Sequence, residues 1–256
     1  MKKILIIGIG AGDPEYLTIQ AVNALNRADV FFVLDKGAAK EKLVAFRREL
    51  CERYIKGRDY RFVDADSPEW ERGSADYGAT IADLNRDKQA VFERLIGEGM
   101  KDGECGAFLV WGDPALYDST IRIVEAIARD GEQAIDYEVI PGITAAQALA
   151  AKHKTTLNRI GEAVEITTGR RIAKGFPDNA GSVIVMLDPD NGFKQFADQD
   201  IDIFWGAYIG TPDEILIAGK LKDVAGEIER VRAEARRANG WIMDTYLMRR
   251  SRHPKE

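Results

Sequence analysis

"ILIIGIGAGDPEYLT", residues 4–18, decides how the chain is read. Four consecutive aliphatic residues, Ile4 to Ile7, suit a strand buried on both faces, as in a parallel sheet covered by helices. The glycines behind it, Gly8, Gly10 and Gly12, let backbone approach another group closely. A dinucleotide site would run G-x-G-x-x-G straight into a helix N-terminus. Here Asp13 stands where the last glycine belongs, and Pro14 disfavours helical geometry at Asp13. A helix starts only beyond that proline, within "LTIQAVNALNRA" (17–28). A phosphate at that helix would also meet the Asp13 carboxylate. The loop is built for something other than a nucleotide diphosphate.

The same alternation continues outward. "DVFFVL" (29–34) is an expected strand ending at Asp35-Lys36, and "AKEKLVAFRRELCERYI" (39–55) has apolar residues at helical spacing. "ADYGATIADLNRDKQAVFERLIGEGMKDG" (75–103) is a more polar helix. "CGAFLVWGDPALYDST" (105–120) is a strand followed by a second Gly-Asp-Pro. "TIRIVEAIARDG" is helical, and "DYEVIPGITAAQALAA" is a strand, a Pro-Gly turn and a helix. Such repetition implies an α/β class with a mainly parallel sheet and helices packed outside it.

The second half has another texture. "EAVEITTG", "GSVIVMLDPD", "DIFWGAYIG", "EILIAGKL" and "GWIMDTYLMRR" are strand-like with short links, interrupted by one long charged helix, "DVAGEIERVRAEARRANG". A second α/β domain with more antiparallel pairing is expected. The boundary is placed near Ile140-Pro141-Gly142, giving domains 1–141 and 142–256.

Bulk properties narrow the function. The 256 residues carry a net charge of −6, with 45% apolar and 30% charged residues. That balance is ordinary for a globular protein and argues against a nucleic-acid binder. Cys51 and Cys105 lie far apart without metal-ligand spacing and read as free thiols of a reducing cytosol. With only His153 and His253, no histidine-built metal site is expected. The opening residues do not form a signal peptide, and no window reaches the roughly 18 apolar residues of a membrane helix. A cytoplasmic protein away from membranes is the expectation.

Three motifs in order, G-x-G-x-G-D-P after the first strand, W-G-D-P at 111–114 and I-P-G-I-T-A at 140–145, resemble the tetrapyrrole (corrin/porphyrin) methylase family. The resemblance runs from Lys3 to about Arg250. It implies two α/β domains with a cleft between them that holds S-adenosylmethionine (SAM) and releases S-adenosylhomocysteine (SAH), and it implies a homodimer. Four stretches, "AGDPEYLTIQAVNALNRADVFFVLDKG", "SADYGATIADLNRDK", "FWGAYIGTPDEILIAG" and "GWIMDTYLMRR", resemble one branch of the family. Members of that branch of cobalamin synthesis remove a two-carbon fragment from precorrin-5 as acetate and methylate carbon 1 of the macrocycle.

The resemblance places Gly10, Ala11, Gly12, Trp111, Gly112, Leu116, Thr144, Ala145, Met186 and Gly210 around SAM. Many members carry a small residue where Trp111 stands, so the indole is expected to reshape the pocket floor. Asp113 ends a strand where open α/β sheets bind ligands, and is expected at the polar end of the cofactor; the other reading is a turn aspartate. Thr144 could equally cap the helix that begins at Ala145, and Met186 could be a core residue. Acetate release needs a base and a donor for a developing oxyanion. Asp35 is the candidate base and Tyr117 the candidate donor. A polycarboxylate substrate needs local cations, for which Arg47-Arg48, Arg170-Arg171 and Arg249-Arg250 are candidates, with Arg170 and Arg171 preferred at the end of a strand. The alternatives are a methylase of this fold acting on another precorrin, on RNA or on a protein, a nucleotide-dependent oxidoreductase, and a tetrapyrrole carrier without catalysis.

Overall fold

The structure is a computed structural model and describes residues 1–35, 41–66, 77–130 and 133–251. The chain forms two compact units, one of Met1–Gly10 with Pro14–Ile143, the other of Ala11–Asp13 with the residues from Thr144 onward.

In the first unit, β1 (Lys2–Gly8), β2 (Val30–Asp35), β3 (Arg61–Asp66), β4 (Cys105–Val110) and β5 (Ile135–Ile140) form one sheet in the order β3-β2-β4-β1-β5. Every pairing in it is parallel. The helices are α1 (Ile19–Leu25), α2 (Glu41–Tyr54), α3 (Tyr77–Gly99) and α4 (Thr120–Asp130). Strand alternation divides the apolar run of β1 between two cores. Leu5 and Ile7 join Ala21 and Leu25 of α1 and Leu50 and Cys51 of α2 on one face. Ile4 and Ile6 join Phe92 and Ile96 of α3 and Val124 and Ile127 of α4 on the other. Helices on both faces are why "ILII" shows no polar alternation.

Helix α1 begins at Ile19, with Thr18 as N-cap accepting the Ala21 N–H at 3.0 Å. Strand β3 was not expected from sequence. "RFVDAD" is a half-exposed edge strand with acids at Asp64 and Asp66, so it lacks the apolar run that marks a buried strand. Cys51 is buried and Cys105 half-buried, both free, and burial pushes the Cys51 thiol up to about 12. Among the described residues no helix is long and apolar enough to cross a membrane.

The second unit holds α5 (Ala145–Lys152), β6 (Val164–Thr168), α6 (Gly169–Ile172), β7 (Ser182–Met186), β8 (Ile201–Ala207), β9 (Ile215–Lys220), α7 (Leu221–Asn239) and β10 (Asp244–Arg250). The sheet order is β6-β7-β10-β8-β9. Only β6–β7 is parallel; the other three pairings are antiparallel. Val183, Val185, Ile203, Trp205, Tyr246 and Met248 form its core with Leu221 and Ile228 of α7. One polar network is buried in it. Arg232 of α7 donates to Asp244 at 2.8 Å, the Trp205 indole N–H donates to the same carboxylate at 3.0 Å, and Arg232 also donates to the Asp188 carbonyl. Burial raises the Asp244 pKa even with Arg232 beside it.

Candidate active site

The carboxyl ends of β1, β4 and β5 meet backbone to backbone. Gly10 and Gly112 form an isolated antiparallel bridge, Gly10 N–H to the Gly112 carbonyl at 3.2 Å and the reverse at 2.8 Å. Both have positive φ, +76° and +70°, where side chains are strained. A Cβ on Gly142 would stand 2.0 Å from the Gly112 carbonyl oxygen, and one on Gly8 would stand 2.6 Å from the Gly142 nitrogen. The glycines after the first strand thus serve a three-loop junction. Bulky residues at Gly8 or Gly142 would force it open.

Asp113 locks that junction. Its Oδ1 accepts the Ala115 N–H at 2.8 Å, closing its own turn, and its Oδ2 accepts the Gly142 N–H at 2.8 Å. Each carboxylate oxygen keeps a further lone pair. Leu116 is half-buried and closes the same turn by donating its N–H to the Asp113 carbonyl at 3.2 Å. Tyr117 follows with φ +54° and is 47% exposed, an uncommon combination for a bulky residue. Asp118 Oδ1 accepts the Thr120 N–H at 2.7 Å at the start of α4. The Trp111 indole lies 5.3 Å from the Phe46 ring, packed against the core beneath α2. Ala11 is buried, and Gly12 has φ +133°.

Asp35 closes β2 opposite Asp66 of β3. Its side chain, like Lys36, lies outside the described residues.

In the second unit, Thr144 is the N-cap of α5 within a full capping box. Its hydroxyl accepts the Gln147 N–H at 3.3 Å, and Gln147 Oε1 accepts the Thr144 N–H at 2.9 Å. Ala145 is the first residue of that helix. Met186 ends β7 half-buried, opposite Thr245. Leu187 comes next with φ +53° and 66% exposure, and Asp188 beyond it is buried. The Asp188 carboxylate accepts the Tyr246 hydroxyl at 2.7 Å and the Gly192 N–H at 2.6 Å. Gly210, at φ +81°, donates its N–H to Glu214 at 2.7 Å. Arg170 and Arg171 sit exposed on the one-turn helix α6.

The other candidate arginines separate clearly. Arg48 pairs with Asp64 at 2.6 Å, and Arg250 lies over the Phe176 ring. Arg249 is buried, donating to Ser182, Thr155 and the Thr156 carbonyl. Arg47 is half-buried, with Nε on the Leu109 carbonyl at 3.0 Å and Nη1 on the Leu43 carbonyl at 2.8 Å. Burial pulls its guanidinium down to about 10, with Asp118 pushing the other way. Sequence reading missed the roles of Gly8, Gly142 and Asp188. Their partners lie far away along the chain, and no local pattern announces them.

Asp113 and Asp118 both belong to the loop after β4, where their carboxylates accept backbone N–H groups.

A sequence profile of the Tetrapyrrole (Corrin/Porphyrin) Methylases matches residues 3–225. The chain is 48% identical over 250 residues to a Precorrin-6A synthase [deacetylating] of Sinorhizobium sp, covering 98% of this chain and 96% of that one. Its fold matches the crystal structure of a cobalamin synthesis related protein, CobF, of Corynebacterium diphtheriae, with a TM-score of 0.82, 35% identity and coverage of 97% and 98%. A uroporphyrin-III C-methyl transferase of Thermus thermophilus, solved with S-adenyl homocysteine, shares the fold at TM-score 0.57 and 18% identity, with coverage of 96% and 91%. The chain belongs to the tetrapyrrole methylase family, and it is a methyltransferase of that family's two-sheet α/β fold.

Proposed function

We propose that this chain is a SAM-dependent C-methyltransferase that converts precorrin-5 to precorrin-6A in cobalamin biosynthesis, methylating C-1 and releasing acetate. The observation that carries the reading is 48% identity across 98% of the chain to a protein named for that reaction. The acid Asp113, placed at the junction of β1, β4 and β5, agrees with a cationic methyl donor.

SAM would supply an electrophilic methyl carbon, leaving as SAH when the carbon–sulfur bond breaks. The residues assigned to hold it are Gly10, Ala11, Gly12, Trp111, Gly112, Asp113, Leu116, Thr144, Ala145, Met186 and Gly210. Holding two reactants in line accounts for about 7–11 kcal/mol of a barrier without any catalytic side chain. Acetate release asks for more. Water adds to the acyl carbonyl, the bond from that carbon to the macrocycle breaks with its electron pair left on the conjugated macrocycle, and acetate departs. Asp35 would take the proton from water, and the Tyr117 hydroxyl would donate to the carbonyl oxygen as charge develops there. Arg170 and Arg171 would meet substrate carboxylates. We read the enzyme as a cytoplasmic homodimer.

The test is incubation with precorrin-5 and SAM, counting acetate and SAH together. One acetate per SAH supports the reading. SAH without acetate, or turnover only with another precorrin, replaces it with a different methylase of the fold.

A further inference from the structure

Strands β2 and β4 part company before they end. Their pairing covers only Val30–Phe32 against Gly106–Phe108. Strand β2 meanwhile stays with β3 as far as Asp35, and β4 stays with β1 as far as Val110. The chain leaves β2 for α2 on one face and β4 for α4 on the other. Adjacent strands whose connections diverge in this way open a crevice at their carboxyl ends, the usual ligand position of an open α/β sheet.

The separation strands a carbonyl. Successive carbonyls of a strand point to opposite sides. Cys105 O accepts from Asp29 just ahead of β2, whereas Val110 O accepts from Ile9 just beyond β1. Leu109 O therefore faces the side from which β2 has departed. Arg47 Nε fills that vacancy, while Nη1 is held by Leu43 O within α2. Two of its three nitrogens are fixed on backbone, and among the described residues the guanidinium has no ion pair. The acid acting on it through space, Asp118, spends one oxygen capping α4. A half-buried guanidinium without a carboxylate partner is costly, and such charges are normally paired. Burial lowers its pKa, with Asp118 pushing the other way.

We propose that Arg47, held on the Leu109 and Leu43 carbonyls where β2 and β4 diverge, is an anion-binding residue whose Nη2 receives a carboxylate of a bound ligand. The inference rests on the methylase reading above, which offers two sources of that carboxylate: the acid side chains of the macrocycle and the amino-acid end of SAM. Arg47 is pre-set for this task, since its side chain is already ordered and less entropy is lost on binding.

The experiment compares wild type, Arg47→Gln and Asp118→Asn. Binding of uroporphyrin III, a porphyrin octacarboxylate, is followed by fluorescence. SAM and 5′-methylthioadenosine, which lacks the amino-acid end, are titrated calorimetrically. Loss of a charged hydrogen bond predicts roughly 10- to 100-fold weaker binding in Arg47→Gln. Weakening of the porphyrin alone, with a shallower salt dependence, assigns the carboxylate to the macrocycle. Weakening of SAM but not methylthioadenosine assigns it to the cofactor. Unchanged affinity for both overturns the proposal, even if the melting temperature falls, because a purely structural cap of Leu109 would behave that way.

Asp118→Asn keeps the helix cap and removes the competing carboxylate, so it should tighten the same ligand roughly twofold to fivefold. Should Arg47→Gln not fold, that second variant decides, and unchanged affinity there overturns the proposal. A wild type that binds neither SAM nor porphyrin sinks the methylase reading itself. Wild-type binding of both, with every variant unaffected, sinks only the role of Arg47.

Discussion

Asp113 Oδ2 accepts the backbone N–H of Gly142 at 2.8 Å, joining the loop after β4 to the loop after β5 across the end of β1. Its other oxygen closes the Asp113–Ala115 turn. The carboxylate is thus a structural tie as well as a candidate cofactor contact. Asp113→Ala leaves two backbone N–H groups without their acceptor and should cost about 1–3 kcal/mol of stability in urea unfolding. SAM affinity should fall along with it, since the glycine junction loosens. Unaltered unfolding with weaker SAM binding would show that the tie carries no energy and only the ligand contact matters.

Two glycines make opposite predictions. Gly142→Ala would set a Cβ 2.0 Å from the Gly112 carbonyl oxygen, a clash with backbone that no rotamer relieves. It should destabilise by about 1–3 kcal/mol or more, as overpacked sites do. Gly226 lies inside α7 with nothing within 4 Å of a Cβ. Gly226→Ala should raise stability by about 0.5–1 kcal/mol by lowering the entropy of the unfolded chain. Paired melting curves check both.

Glu104 makes stability depend on acid. Two hydrogen bonds from Arg61, at 2.8 and 2.7 Å, and one from the Lys101 N–H hold its carboxyl near 2 instead of 4.5. A folded pKa below the unfolded one contributes stability that is present above pH 4.5 and is lost as pH falls toward 2. Glu104→Gln should therefore narrow its stability gap to wild type across that window. The gap should also shrink in salt, since the Arg61 side chain is 44% exposed. Unfolding of both proteins between pH 2 and 6 tests it.

Asp35→Asn keeps the size of the side chain and removes the proposed base. Acetate release should drop by ~10²- to 10⁴-fold, the usual contribution of a positioned base. SAM affinity should stay near wild type, because the assigned cofactor contacts lie on other loops. Unchanged acetate release would hand the role to another group or to a carboxylate of the substrate.

Much of the architecture is legible locally. Ile4–Ile7 read as a doubly covered strand because both faces of β1 meet helices, and Pro14 forbade an early α1. The long helix α7 and the five strands of the second half also followed from periodicity. β3 escaped notice since an edge strand with alternating acids needs no apolar run. Among the candidate site residues, Thr144 was recognisable as a cap, because its partner Gln147 is three residues away.

What the sequence determined by itself is most of the strands and helices, β3 excepted, which faces are apolar, and that the first loop is unsuited to a diphosphate. These follow from steric and hydrophobic rules that act over a few residues. Tertiary structure alone decided that Gly8, Gly112 and Gly142 pack together, that Asp113 ties two of those loops, and that Asp188 is held by Tyr246. It also decided that Arg47, one of the six candidate arginines, stands half-buried on a carbonyl abandoned by β2, with no ion pair among the described residues. A backbone N–H, a carbonyl or a carboxylate accepts any suitable partner, so its choice is made by whichever strand ends the sheet brings together.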